Sequence, residues 1–380
     1  MPPSFERKPG LLATARYIAA DIRNYLTTTR RRLAAVNRYD GFPDKRALLE
    51  RDDLEIDHLD NVTIGAGVAV GRGCSFRDYG TGKTPRSIEL GRECWIGPGV
   101  EFAVWDNHHI HLSGDTSVNE GTKIYGSVTV ERYCLLAPRV FISSGNHHAD
   151  HVPALLIKDQ DRLFETSSFA QTGDQPVHIE EDCWIGLGVF IKQGIYVGRG
   201  AIIGTYSVVT TDVPPYSIQV GAPSREARTR LDFKPPDQLS ADQQDQRPYF
   251  YRGFRHRLEE VTKSLKRGVI LAENHAVVTL NGRLCSRLKI KGRLNPGVKS
   301  MRLSIQLNGQ VVTVVSVEGS GIFEHEVKLS ELNGGKTSEL AAPLKAFNVY
   351  EFDVVEACRE TDSDAPDSSA YGLSIVQQVS

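Results

Sequence analysis

The 380-residue sequence is short of several things. It has no run of about 18 apolar residues, so no membrane-spanning helix is expected. Its first residues show no basic start, apolar stretch and small-residue cleavage site, so no secretory signal is expected and the cytoplasm is the expected compartment. An excess of one charge sign is also missing. Lys and Arg total 45 against 47 Asp and Glu, a formal net charge of −2, which gives no electrostatic case for a nucleic-acid partner. Six cysteines (Cys74, Cys94, Cys134, Cys183, Cys285 and Cys358) occur without any CxxC spacing. That argues against a zinc ribbon or a disulfide framework and for small buried thiols in a reducing compartment.

What the sequence does have is a repeat. From Ile179 it reads IEEDCW, IGLGVF, IKQGIY, VGRGAI, IGTYSV and VTTDVP. Each block opens with Ile or Val, and the fifth position stays small or β-branched. Six residues is not a multiple of 3.6, so a helix cannot use the pattern. Positions one and five differ by four, so both can point inward on pleated strands. Three such hexads make the three flat sides of one triangular coil. No coil buries its apolar stripe alone, so coils must stack into a solenoid. Blocks of the same kind start at Ile64, Val70, Leu90, Ile96, Ile124, Val130, Leu136 and Ile142. The phase breaks at about 77–89, 103–123 and 149–178. Each break predicts a loop leaving the coil, and such loops tend to carry function.

The stretch Pro176–Asp232 closely resembles the end of the hexapeptide-repeat acyltransferase superfamily, above all its xenobiotic and sugar O-acetyltransferase branch. The resemblance covers about residues 60–230. It implies a left-handed parallel β-helix, a homotrimer, and acetyl-CoA lying between adjacent β-helices. No metal is expected.

Family members place their base where Asn146, His147 and Asp150 fit an Asn-His-x-x-Asp segment, so the resemblance makes His147 the general base. The chemistry requires such a group, because a hydroxyl must lose its proton as it attacks a thioester. Neutral imidazole is available near physiological pH. His148 is the rival base and a candidate for contacting the acceptor, and Asp150 either orients an imidazole or caps a turn. The resemblance also assigns Trp184, Gly186, Gly204, Thr205 and Ser207 to the acyl and pantetheine end of acetyl-CoA. Arg225 and Arg228, with Arg230 nearby, are its candidates for the nucleotide phosphates. Two departures stand out: Thr211 replaces a common Lys and Ser224 a common Ala. In the loop Trp105–His111, Asp106 and Asn107 are candidates for holding the acceptor.

The expected reaction is acetyl transfer from acetyl-CoA to a sugar hydroxyl on a polysaccharide unit or its precursor, by direct transfer. N-acetylation of an amino sugar and xenobiotic O-acetylation are alternatives of the same chemistry. A non-catalytic glycan-binding trimer is the alternative from a different class. Gamma-class carbonic anhydrases share the β-helix and hold zinc with three histidines. His108, His109, His111, His147, His148 and His151 raise that reading, but their spacing does not match it.

The flanks read differently. Within an N-terminal segment, 1–55, the apolar spacing over 11–36 predicts a helix that caps the first coil, or else lies weakly on an anionic membrane through Arg16, Arg23 and Arg30. After the β-helix domain at 56–232, residues 233–267 read as a linker with a short helix at about 249–266. Residues 268–357 alternate like a β-sandwich, with Asn308-Gly309 as a hairpin turn, and would bind glycan or serve as a structural module. Residues 358–380 are Ser/Asp-rich and read as a disordered tail.

Overall fold

A computed structural model describes residues 53–149, 151–165, 175–254, 269–282, 286–295, 298–319, 321–329, 347–359 and 371–379. The expected helix at 11–36, Asp150 and Cys285 lie outside these residues. The described chain is mainly β, and its repeat winds into a parallel β-solenoid whose short strands stack into three sheets. The described chain divides into two compact units. One runs to His178 and includes Trp184–Gly194 and Gly204–Val208. The other holds Ile179–Cys183, Ile195–Ile203 and the chain from Val209 onward.

In the first unit the six-residue period becomes three parallel faces. The first face stacks strands Glu55–Ile56, Ser75–Asp78, Glu101–Val104, Lys123–Tyr125, Phe141–Ser143 and Phe190–Ile191. The second stacks Val62–Ile64, Ser87–Leu90, His109–Leu112 and Val128–Val130. The third stacks Ala69–Val70, Trp95–Ile96, Ser117–Val118, Leu135–Leu136 and Trp184–Ile185. In-register stacking puts like residues above one another, and Phe76, Phe102, Ile124 and Ile142 fill the interior as a column. The fifth positions also turn inward: Cys183, Val189, Ile195, Ala201, Ser207 and Val213 are all buried. The residue before each of the first five bends the coil through the left-handed region, at φ 61° for Asp182, 64° for Gly188, 72° for Gly194, 67° for Gly200 and 55° for Tyr206. Cys74, Cys94, Cys134 and Cys183 are buried free thiols, as expected.

One expected loop is mostly absent. Residues 109–123 stay in the coil, with Leu112, Val118 and Ile124 inward at six-residue steps. The phase was hidden because threonine fills the fifth position. Buried Thr116 donates its hydroxyl to Gly114 O and Glu131 O, and buried Thr122 donates to Ala137 O. A polar side chain so bonded fits an apolar interior without an unpaired group. Only residues 105–108 leave the coil there, and 79–86 leave it one coil earlier. Both segments depart at the corner between the first and second faces.

In the second unit, strand Ile202–Ile203 pairs in parallel with Ser217–Val220, which pairs antiparallel with Arg225–Thr229. The rest is an antiparallel assembly. Strand Ile270–Leu280 pairs through 275–280 with Asn348–Arg359 and through 270–272 with Tyr371–Val379, so it sits between these two strands within one nine-stranded sheet. Asn308 and Gly309, at φ 50° and 77°, close the expected hairpin between Val298–Leu307 and Gln310–Glu318. Two boundaries change. The expected linker supplies strands Gln238–Ser240 and Phe250–Phe254. Residues 371–379 of the expected tail form a strand rather than disorder. In both cases aromatic and aliphatic side chains account for the order, because Phe250, Phe254, Tyr371, Leu373 and Val376 lie in the core. A buried polar cluster belongs to the same unit. Arg199 donates to Phe250 O at 3.0 Å and stands 3.7 Å from Glu181, while Tyr251 donates to Glu180.

Candidate functional site

The third excursion leaves from the same corner as the other two. Strand Phe141–Ser143 ends at Ser144, which is fully buried. Its hydroxyl accepts the Ser127 amide at 2.7 Å and its carbonyl accepts the Gln175 amide at 3.0 Å. The excursion therefore departs and returns at one point, held by that residue. It carries Gly145, Asn146, His147 and His148 outward, then turns into helix Ile157–Glu165.

That helix brings a carboxylate back to the histidines. Nδ1 of His147 lies 2.8 Å from Oδ2 of Asp161, and the His148 amide donates to Oδ1, also at 2.8 Å. Partial burial raises the Asp161 carboxyl, but the His148 amide and the His147 ring outweigh it and hold the group below its ordinary value. A neutral imidazole that donates Nδ1–H to Asp161 keeps its lone pair on Nε2, the form a general base requires. Beside Asp161, buried Gln160 closes the loop. Its carbonyl accepts the Val152 amide at 3.0 Å, and its NH2 donates to Ala149 O and Leu155 O at 3.1 and 3.2 Å. Asp161 and Gln160 were not among the sequence candidates. They lie 14 and 13 residues beyond His147, and no periodicity links them to it. Asn146 is exposed, and the His148 ring stands 5.3 Å from that of His151.

The acceptor candidates mainly shape their own loop. Asp106 accepts both the amide and the hydroxyl of Thr81 and stands 3.7 Å from Arg86. The Thr81 bonds hold its carboxyl below the ordinary value. Asn107 turns the chain at φ 65° and donates its amide to Pro85 O. The pair thus fastens 79–86 to 105–108.

Among the cofactor candidates, Trp184 and Thr205 are exposed on the β-helix surface, with Gly204 half-buried and Gly186 buried. Ser207 is 0% exposed. It is an inward fifth position, so its side chain cannot touch a cofactor lying outside the coil. In the second unit, Arg225 and Arg228 sit three apart on one strand and would ordinarily face opposite ways. A register shift opposite Ile218/Gln219 aligns Arg228 with Ile218 and Arg225 with Val220, so both arginines share a face. Arg230 is committed elsewhere: it donates to Gly200 O at 2.7 Å and pairs with Asp182 at 3.3 Å. Among the described residues, no group of three or more His, Cys, Asp or Glu is arranged to hold a metal ion. No helix among them is long and apolar enough to cross a membrane.

A family model described as the hexapeptide repeat of succinyl-transferase matches residues 176–211. The chain is 30% identical over 139 residues to the galactoside O-acetyltransferase of Escherichia coli K12, covering 37% of this chain and 62% of that protein. It is 29% identical over 145 residues to a putative lipopolysaccharide biosynthesis O-acetyl transferase of the same organism, covering 37% of this chain and 70% of that one. A Vibrio cholerae hexapeptide-repeat acetyltransferase solved with acetyl coenzyme A is 23% identical, covering 38% of this chain and 71% of that one, with a TM-score of 0.30. The chain spans 42–62% of the length of the first curated relatives it matches.

Proposed function

We propose that this chain, whose β-helix resembles the hexapeptide-repeat acyltransferases, transfers acetyl from acetyl-CoA to a sugar hydroxyl, with His147 as general base. The observation that carries this reading is the His147–Asp161 pair, which sits on the loop leaving the repeat. Relatives named as a galactoside O-acetyltransferase and a putative lipopolysaccharide biosynthesis O-acetyl transferase support the sugar as acceptor class.

In this reading Nε2 of His147 takes the hydroxyl proton as the oxygen attacks the thioester carbon. The tetrahedral intermediate collapses, the C–S bond breaks, and the imidazolium returns the proton to the leaving thiolate of CoA. Asp161 fixes the ring in the required tautomer and offsets the charge it gains. Trp184, Gly204 and Thr205 serve the acyl and pantetheine end of acetyl-CoA. Arg225 and Arg228, sharing one face, serve its phosphates. The working form is a homotrimer.

The test is thiol release from acetyl-CoA across a panel of sugar acceptors. His147→Ala should lower kcat by about 10²–10⁴-fold while acetyl-CoA still binds. Unchanged turnover would reject the base assignment.

A further inference from the structure

A band of aromatic side chains crosses the outside of the first face. Tyr79, Trp105, Tyr125, Phe141 and Phe190 each meet the next, with ring centroids 5.8, 6.3, 5.4 and 5.6 Å apart. Tyr79, Trp105 and Phe141 are 57%, 38% and 37% exposed. The core does not call for them, because the inward positions of the same strands are already filled by Phe76, Phe102, Ile124 and Ile142. The rings fall into two platforms. Tyr79 and Trp105 lie within 39° of parallel, and Phe141 and Phe190 within 34°. Tyr125 stands between the platforms, edge-on to both at 76° and 83°.

Polar groups are threaded through the band. The Tyr125 hydroxyl donates to Glu101 at 2.6 Å, and Lys123 pairs with Glu101 at 3.2 Å. This mixture decides the occupant. A contact between protein copies is depleted of charge at its centre, whereas here an ion pair sits between the platforms. A pyranose ring matches both features. Its C–H face lies on an aromatic face, which carries the negative end of the ring quadrupole. Its hydroxyl edge needs donors and acceptors of the kind Glu101, Lys123 and Tyr125 supply. The band climbs from coil to coil, at roughly 4.8 Å per level, a step comparable with the length of one sugar residue in a chain.

The band also leads to the candidate base. Tyr79 and Trp105 open the two loops shed at the corner. The third loop leaves the same corner at Ser144, three residues before His147. There Gly126, at φ 84°, leaves no room for a β-carbon between itself and Ser144, and His108, whose ring meets Trp105 edge-on at 5.6 Å, borders the same glycine. We propose that the band is a platform for a linear oligosaccharide, so that the acceptor is a residue within a glycan chain rather than a free monosaccharide. This deepens the sugar-acetylation reading and rests on it only for the identity of the reaction.

The test uses the full chain without acetyl-CoA. Cellotetraose, chitotetraose, maltotetraose and tetragalacturonate are titrated by calorimetry, with glucose and galacturonate as monomer controls. Saturation transfer from the protein's aromatic protons reports which sugars lie on rings. At least one tetramer should bind about tenfold or more tightly than its monomer, with saturation transferred to its C–H protons. Trp105→Ala with Phe141→Ala should weaken that binding by about tenfold, while Trp105→Phe stays within about threefold of the wild type. Thermal melting checks that the variants fold, and saturation transfer on the wild type keeps the test decisive if they do not. The proposal is overturned if no tetramer binds, or if the double variant binds as the wild type does. It is also overturned if sedimentation shows the double substitution breaking an oligomer while glycan affinity holds, which would make the band a contact between copies. Tetramer binding without any acetyl transfer would sink the enzymatic reading alone, and transfer to monomers only would sink the platform alone.

Discussion

Nδ1 of His147 and Oδ2 of Asp161 lie 2.8 Å apart, although they stand 14 positions apart in the chain. The contact directs an otherwise exposed ring, and under the proposed mechanism it also selects the Nδ1–H tautomer. Asp161→Asn removes the charge while keeping the shape, and should lower kcat by about 10²- to 10⁴-fold, because an amide no longer holds the base in its working tautomer. Acetyl-CoA affinity should hold. Steady-state kinetics with titration of both substrates separates the two. A loss confined to the acetyl-CoA KM would contradict the orienting role.

Acid should loosen this loop. The folded Asp161 carboxyl titrates below its ordinary value, so its contribution is complete above about pH 4. It is lost as pH falls through the lowered folded value. Hydrogen exchange at the His148 amide, measured between pH 6 and 3 and corrected for intrinsic rate, should show protection falling only below about pH 4. Protection falling between pH 6 and 5 would place the control on another group.

Gly126 tests where the excursion is anchored. A β-carbon built there would lie 2.0 Å from Ser144 Oγ, at a backbone φ of 84°. Gly126→Ala should break the hydrogen bond from the Ser127 amide to Ser144. The expected cost is about 1–3 kcal/mol of stability, with faster proteolysis between residues 145 and 165. Denaturant unfolding and limited trypsin digestion together read the two effects.

Ser207 and the arginine pair separate packing from binding. Ser207→Ala should cost about 1 kcal/mol of stability and leave the acetyl-CoA KM unchanged, because the side chain points into the coil. Arg225→Ala with Arg228→Ala should raise that KM by about tenfold or more and flatten its dependence on salt. A raised KM for Ser207→Ala would mean that the serine reaches the cofactor after all.

The β-helix was legible because its period is enforced at every level of the stack: Ile185, Ile191, Val197 and Ile203 each had to be aliphatic and each is buried. The same rule already marked Ser207 as inward, since it holds the fifth position of IGTYSV. Matching it by resemblance to a surface role overlooked that geometry. The continuity of 109–123 was hidden because Thr116 and Thr122 satisfy the interior through hydrogen bonds, which hydrophobicity does not register. His147 could be found by its place before an excursion. Asp161 could not, because a helix within a loop answers to no repeat and its partner is fixed only by the fold. Strand Tyr371–Val379 was missed because the Ser/Asp-rich residues before it set the composition of the whole segment.

All three departures from the six-residue rhythm occur at one vertex of the triangle, and the other two vertices of the first unit keep their short turns. Chain can therefore be added or trimmed at that vertex without disturbing the rows stacked beneath it. The coil behaves as a ruler and the vertex as the place where lengths are free. Natural or laboratory variation in chain length should accumulate at that vertex, in 79–86, 105–108 and the excursion after Ser144, while the sides of the prism stay nearly constant.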